Sequence, residues 1–146
     1  MGAVDVTTEV VIAAPRERVA AFAADPNNAT TWYENIVATT WETAPPLAVG
    51  TKLGFEARFL GRKMAYTYRV EEYEPGVRLV MRTAEGPFPM ETTYEWADAP
   101  DGGTRMRLRN RGEPSGFARI ASSMMVSSMR KANRKDLDRL RMILEG

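Results

Sequence analysis

The sequence predicts a soluble α+β domain spanning residues 1–146, in which a long C-terminal helix crosses a curved antiparallel sheet. Three observations support this fold class. First, a strand rich in β-branched residues is followed by two short helical segments. Second, apolar and polar residues alternate with a period of two in about six further segments. Third, the apolar residues of roughly the last 30 positions recur at spacings of three and four. A chain of 146 residues also matches the usual size of one domain.

The N-terminal elements are marked by valine-rich sequence and by helix-start chemistry. Residues 3–13 are predicted as the first strand, because valine and isoleucine dominate them. Pro15 suits the first turn of a short helix, where a missing N–H costs nothing. Turn-forming residues at 25–28 then separate it from a second short helix that carries Trp32.

The middle of the chain is predicted to form the rest of the sheet. A strand over residues 36–43 ends before Pro45-Pro46, and residues 51–60 alternate between apolar and charged side chains. Gly61-Arg62 is predicted as a tight hairpin turn. Similar alternation predicts further strands at residues 64–71, 79–83, 90–96 and 105–109. Because strands joined by tight turns run antiparallel, one face of this sheet is expected to be buried and the other solvated.

The C-terminal segment is predicted as one helix from Ser115 or Gly116 to about Leu144. Such a helix would be roughly 45 Å long at 1.5 Å per residue, enough to cross the whole domain. No other element is large enough to cover the apolar face of the sheet. Its apolar stripe consists of Phe117, Ile120, Ala121, Met124, Met125, Ser128, Met129, Ala132, Leu137, Leu140, Ile143 and Leu144.

The composition excludes several classes of chemistry. The chain has no cysteine and no histidine, so disulfides, thiolate nucleophiles and zinc–thiolate sites are excluded and the commonest general base is absent. We therefore expect no bound metal and no cofactor. A formal net charge of +1 gives no reason to expect nucleic acid.

Two local clusters of positive charge have simple interpretations. Arginines alternate with other residues over 105–111 without aromatic interleaving, which indicates a solvated strand face. Residues 115–146 carry seven basic and three acidic side chains. This excess of positive charge suits contact with an acidic partner or a membrane surface, but it also suits a helix face exposed to solvent. We favour the solvent-exposed face. We expect a cytoplasmic protein without stable membrane insertion, since residues 1–12 lack signal-peptide features and no long apolar run follows. The oligomeric state, monomer or homodimer, stays open.

Four stretches in chain order carry a resemblance to a known superfamily. They are residues 14–19 with Asp25-Pro26, residues 32–36 with 49–51, residues 70–79, and residues 102–106 with 114–116 and 136–140. Together they resemble the START-like or Bet v 1-like (SRPBCC) superfamily, especially its bacterial polyketide cyclase/dehydrase-type members. The resemblance implies a helix-grip fold around a deep hydrophobic cavity. It implies no invariant catalytic set.

The candidate site is the inward face of the sheet together with the helix that covers it. A packed core is the alternative interpretation. Tyrosine hydroxyls need partners when buried, ligand sites combine apolar walls with a few polar groups, and methionines form adaptable walls, so we favour a pocket. Its predicted lining is Trp32, Phe55, Phe59, Tyr66, Tyr68, Met81, Phe88, Met90, Tyr94, Met106, Met124 and Ser128.

Three functions fit such a pocket. The first is binding of a small hydrophobic molecule, whether lipid-like, a polyketide or another apolar metabolite. The second is a polyketide cyclase or aromatase that orients a bound chain for ring closure. The third is a chaperone-like or regulatory module without a stable ligand.

Catalytic and gating residues are harder to assign. Alternation places Glu72 inward and Arg109 outward, although a solvated sheet end is the simpler interpretation of Glu72. The segment 86–89 carries Phe88 between two prolines, so it is either a gate over the pocket or a rigid hairpin.

Overall fold

The computed structural model describes residues 4–59, 61–86, 89–112 and 120–146. It confirms the predicted class and order of elements. In chain order these are β1 (Val4–Ile12), α1 (Arg16–Ala24), a 3-10 turn (Pro26–Asn28), α2 (Ala29–Trp32), β2 (Ile36–Trp41), β3 (Lys52–Phe59), β4 (Arg62–Glu74), β5 (Arg78–Glu85), β6 (Met90–Asp98), a 3-10 turn (Pro100–Gly102), β7 (Thr104–Gly112) and α3 (Ile120–Glu145).

The seven strands form one antiparallel sheet in the order β1-β7-β6-β5-β4-β3-β2. Strands β2 to β7 follow one another as hairpins, and β1 adds to the far edge beside β7. The sheet curves around α3, which makes most of its strand contacts with β1. This is the expected helix-grip arrangement. The predicted helix start at Ser115 or Gly116 lies outside the described residues.

The core lies between the concave face of the sheet and the C-terminal part of α3. From β7, Met106 and Leu108 are fully buried, as their alternation predicted. From α3, Leu137, Leu140 and Leu144 meet them at spacings of three and four. The helix is therefore anchored to the sheet by its last two turns.

A β-bulge in β4 overturns one sequence-based expectation. The pairing with β5 shifts register between Val70 and Glu72, and Tyr73 then packs against the core. A bulge inserts one residue and exchanges the two faces of the strand. Glu72 is accordingly exposed, and its Oε1 atom lies 3.3 Å from Nε of Arg78. The inward orientation predicted from alternation is therefore wrong, and the alternative, a solvated sheet end, is correct.

The outer face of β7 carries the predicted solvated arginines. Arg109 donates two hydrogen bonds, of 2.9 and 2.7 Å, to the carboxylate of Asp5 on β1. The Nε atom of Arg107 donates one hydrogen bond, of 2.8 Å, to Oε2 of Glu9. These contacts place Arg109 outside any cavity, as its alternation predicted. At the β3–β4 hairpin, Arg62 already pairs with Phe59, so the predicted turn is displaced by one residue.

Candidate ligand-binding cavity

A cavity of two adjoining lobes lies between the concave sheet and the elements that cover it. Each lobe has a volume of about 130 Å³. An apolar cavity of about 150 Å³ accommodates benzene, so each lobe is about the size of one aromatic ring. The two lobes share six wall residues, namely Tyr33, Ile36, Ala57, Tyr66, Tyr68 and Asn110.

The first lobe lies between the α1–α2 segment and strands β3 to β6. Small side chains of that segment form its roof, and larger apolar and aromatic side chains of the strands form its floor. Apart from the shared wall, it is lined by Ala23, Ala24, Asp25, Pro26, Ala29, Leu53, Phe55, Leu79, Met81, Thr92 and Tyr94. Alanines at the roof leave room that larger side chains would fill.

The polar groups of the first lobe are largely paired with one another. The hydroxyls of Tyr33 and Tyr94 lie 2.6 Å apart, and Thr92 donates to Asn110 at 2.8 Å. Burial raises the pKa of both Tyr33 and Tyr94, so the two hydroxyls stay protonated around neutral pH. The lobe thus offers neutral hydrogen-bonding groups on an apolar wall.

Aromatic packing holds this wall in place. Phe55 meets Tyr68 edge-on at a centroid distance of 5.6 Å, and Tyr66 stacks on Tyr68 at 6.0 Å. Trp32 is fully buried behind the wall, and the centroid of its ring lies 4.1 Å from the ring centroid of Tyr33. Such contacts restrict the rings that face the cavity.

The second lobe lies under α3, on the helix face formed by positions 129, 132, 133 and 136. These four positions share one side of a helix because they are spaced by three and four. The lobe is lined by Met129, Ala132, Asn133 and Asp136 of α3 together with Asn35, Met64 and Met90, besides the shared wall. It is the more polar lobe of the cavity.

Two polar side chains of α3 in this lobe are almost completely buried. The Oδ1 atom of Asp136 accepts the backbone N–H of Glu34 at 2.9 Å, and burial raises the pKa of Asp136 to about 7. Asn133 is only 5% exposed, and its Nδ2 atom has no hydrogen-bond acceptor among the described residues. Helix α3 therefore presents a titratable carboxyl and an unused donor to the cavity.

The structure brings together half of the predicted site residues. The six that line the cavity are Phe55, Tyr66, Tyr68, Met81, Met90 and Tyr94. Trp32 and Met106 are fully buried in the core and do not line either lobe. The side chain of Phe59 and residues 87–88 of the predicted gate, Phe88 included, lie outside the described residues.

The predicted contribution of α3 needs correction. Met124 is 62% exposed rather than part of a wall, and Ser128 is half-buried but absent from the lining of both lobes. The first described residue of α3 that lines the cavity is Met129. Of the predicted helix stripe, Leu137, Leu140 and Leu144 are buried, whereas Met124 and Ile143 are exposed.

Sequence reasoning did not select Tyr33, Thr92, Asn110, Asn133 or Asp136. A signal existed for two of them, because Thr92 shares its strand face with Tyr94 and Asn110 shares its face with Leu108. Asp136 was counted only among the charges of the helix. Its position seven residues after Met129 places it on the same face, and that spacing could have identified it.

A metal cluster and a membrane-spanning helix are both absent from the described residues. Among them, no three acidic side chains are grouped closely enough to hold a metal ion. None of the described helices combines the length and the apolar character needed to cross a bilayer.

Comparisons with known proteins agree with this geometry. The family model described as "Polyketide cyclase / dehydrase and lipid transport" matches residues 3–145. No curated protein matches the sequence. A START superfamily protein from Mycobacterium smegmatis superposes with a TM-score of 0.83 at 13% identity, and 97% of each chain is covered.

Two further solved structures share the fold. The protein TTHA0849 from Thermus thermophilus has a TM-score of 0.82 at 21% identity, with 96% of each chain covered. The Zhui aromatase/cyclase from Streptomyces sp. R1128 has a TM-score of 0.81 at 16% identity, covering 98% of this chain and 94% of the other. At these identities the similarity shows a common fold.

Proposed function

We propose, from the premise that this chain belongs to the polyketide cyclase/dehydrase and lipid transport family, that it binds a small hydrophobic molecule between its sheet and α3. The observation that carries the proposal is the cavity itself. Its walls are mostly apolar and aromatic, with a few buried polar groups, which is the usual composition of a small-molecule site. Two adjoining ring-sized lobes suit a molecule of about two rings.

Burial alone would give such a ligand modest affinity. Removing about 200 Å² of apolar surface from water is worth roughly 5 kcal/mol, before the loss of translational and rotational freedom is subtracted. Tight binding therefore requires polar contacts in addition to shape. The hydroxyl pair of Tyr33 and Tyr94 and the amides of Asn110 and Asn133 can supply them.

The test is a titration with 1-aminonaphthalene, a neutral two-ring fluorophore whose emission depends on polarity. Ala57 lines both lobes, so Ala57→Phe should fill the shared space and weaken binding about tenfold or more. Ala65 lies exposed on the neighbouring strand, opposite Glu56, and Ala65→Phe is the matched control that should leave binding unchanged. Equal affinities of the two variants would reject the cavity as the binding site.

Native mass spectrometry of gently purified protein provides a second test. We expect an extra mass of a small organic molecule on the native protein that disappears after denaturation. The same spectrum gives the subunit count, and so decides between monomer and homodimer. Cytoplasmic location and the lack of nucleic-acid binding stay predictions.

A cyclase or aromatase activity is the alternative, and one observation favours it. The carboxyl of Asp136 faces the cavity with a pKa raised by burial to about 7, which suits a general acid or base near neutral pH. In this case the cavity would orient a linear poly-β-ketone, and Asp136 would move protons during ring closure and loss of water.

Chromatography with mass detection can follow such a reaction. The wild-type protein should produce the cyclised, dehydrated product, and Asp136→Asn should slow its formation about 100-fold or more. Product formation at the same rate with and without protein would reject the enzyme and leave ligand binding in place.

A further inference from the structure

Among the described residues, the charged side chains that line the cavity are all acidic. Its lining includes two carboxylic acids, Asp25 in the first lobe and Asp136 in the second, and no lysine or arginine among the described residues. Lys135 and Arg139 lie near Asp136 on α3, but both point to solvent. An anionic group in the cavity would therefore lose its hydration without gaining a cationic partner, which is strongly unfavourable.

One hydrogen-bond donor in the second lobe is left unused. Asn133 is 5% exposed and lines the lobe, and no acceptor for its Nδ2 atom lies in the part of the chain that the structure describes. A buried donor without an acceptor costs stability, and a ligand carbonyl at this wall would satisfy it.

The neighbouring carboxyl has an acceptor position to spare. The Oδ1 atom of Asp136 is bonded to the N–H of Glu34, and in the described part of the chain no hydrogen bond to Oδ2 is found. Asn133 and Asp136 are three residues apart on one helix face, so their polar ends are neighbours. One molecule with an adjacent carbonyl and hydroxyl can reach both.

We propose that the cavity selects a neutral ligand of about two rings whose carbonyl accepts from Asn133 and whose hydroxyl donates to Asp136, and that it rejects carboxylates and phosphates. This inference deepens the proposed function and depends on it. It separates neutral oxygenated metabolites from anionic lipids such as fatty acids, two classes that the size and apolar character of the cavity alone do not distinguish.

Four small probes of similar shape test the selection by calorimetric titration at pH 8. Tetralin has no polar group, 1-tetralone has a carbonyl, 2-naphthol has a hydroxyl and 2-naphthoate is an anion. We expect 1-tetralone and 2-naphthol to bind about tenfold more tightly than tetralin, and 2-naphthoate to bind more weakly than 2-naphthol by at least a similar factor.

Variants then assign the selection to individual side chains. Asn133→Leu should remove the preference for 1-tetralone over tetralin without lowering the thermal unfolding temperature, because an unused donor is replaced by an apolar group. Asp136→Asn keeps an acceptor for the Glu34 N–H and should strengthen 2-naphthoate binding about tenfold. Asp138→Asn makes the same charge change outside the cavity lining and should leave all four affinities unchanged.

The outcomes separate this inference from the proposed function. If wild-type protein binds 2-naphthoate as tightly as 2-naphthol, and Ala57→Phe weakens both, the cavity binds ligands but does not reject anions. If Asn133→Leu lowers the unfolding temperature and the affinity for every probe alike, Asn133 is structural and the inference is wrong. If no probe binds, the proposed function fails, and the inference fails with it.

Discussion

Two consecutive stretches of α3, residues 129–136 and 137–145, meet the sheet in different ways. From Leu137 onward the helix packs as an ordinary core helix, with Leu137, Leu140 and Leu144 almost fully buried; we call residues 137–145 the leucine half. Residues 129–136, the cavity half, instead place Met129 and Ala132 half-buried and Asn133 and Asp136 buried over the second lobe. The same helix thus closes one part of the sheet and leaves space over another.

The difference lies in the kind of side chain that each half buries. Three leucines fill space and require no partner, so the leucine half contributes stability by close packing. An amide and a carboxyl need partners when they are buried. The Nδ2 atom of Asn133 has none among the described residues, and the pKa of Asp136 is raised to about 7. A stretch that gives up stability in this way is typical of a functional site.

Truncation of one side chain in each half should give the largest contrast. Leu140→Ala should lower the free energy of unfolding by about 2–5 kcal/mol, because it opens a void in a filled core. Met129→Ala should cost about 1 kcal/mol or less, because Met129 is half-buried and already borders space. Urea unfolding measures both. Equal losses would show that the two halves are packed alike.

The buried carboxyl of the cavity half should make stability depend on pH. The pKa of Asp136 is raised by burial to about 7 from an ordinary value of 3.8, so the folded state binds more protons than the unfolded state between these values. Asp136 therefore makes its full contribution to the free energy of unfolding below about pH 4, and this contribution is lost as the pH rises to about 7. The loss amounts to a few kcal/mol at most. The charged groups around it are Glu34, Lys135 and Arg139.

Comparison of wild type with Asp136→Asn isolates this contribution. The variant is needed as a reference because arginine partners lower the pKa values of Asp5 and Glu91. These two acids make the free energy of unfolding rise with pH at low pH, opposite to the effect of Asp136. The stability difference between variant and wild type should grow from pH 4 to pH 7 in favour of the variant. A difference that does not change with pH would contradict the burial of this charge.

Charges on the outer face should matter least. The pair between Arg109 and Asp5 is well formed but exposed, and exposed ion pairs contribute roughly 0–1 kcal/mol. Arg109→Gln should thus lower the free energy of unfolding by less than about 1 kcal/mol, and less still in high salt. A loss as large as that of Leu140→Ala would mean that the outer face, rather than the leucine half, holds β1 in place.

How well the sequence predicts each region depends on the regularity of its pattern. In β7, unbroken alternation predicts both the inward Met106 and the outward Arg109 correctly. In β4, a single bulge after Val70 exchanges the faces, and nothing in the alternation marks it. On α3 the apolar stripe correctly predicts that Leu137, Leu140 and Leu144 of the leucine half are buried. These side chains only have to pack against the apolar face of the sheet, which the pattern is sufficient to predict.

The cavity half was harder to predict, because its role depends on space rather than on pattern. A stripe of apolar residues does not say where the curved sheet moves away from the helix. Met124 continues the stripe and is nevertheless exposed, whereas Asp136 is polar and buried. Only the three-dimensional arrangement shows which residues border empty volume.

The most direct test of the cavity as a binding site uses the methionines of this chain as reporters. Met81 lines the first lobe, Met90 and Met129 line the second, Met106 lies in the packed core and Met142 is 71% exposed. Methyl spectra of ¹³C-methionine-labelled protein should show ring-current shifts at Met81, Met90 and Met129 when 2-naphthol is added. Met142 should not shift, and Met106 should shift little. Shifts confined to Met142, with Met81, Met90 and Met129 unchanged, would place the ligand on the surface and contradict a binding site between the sheet and α3.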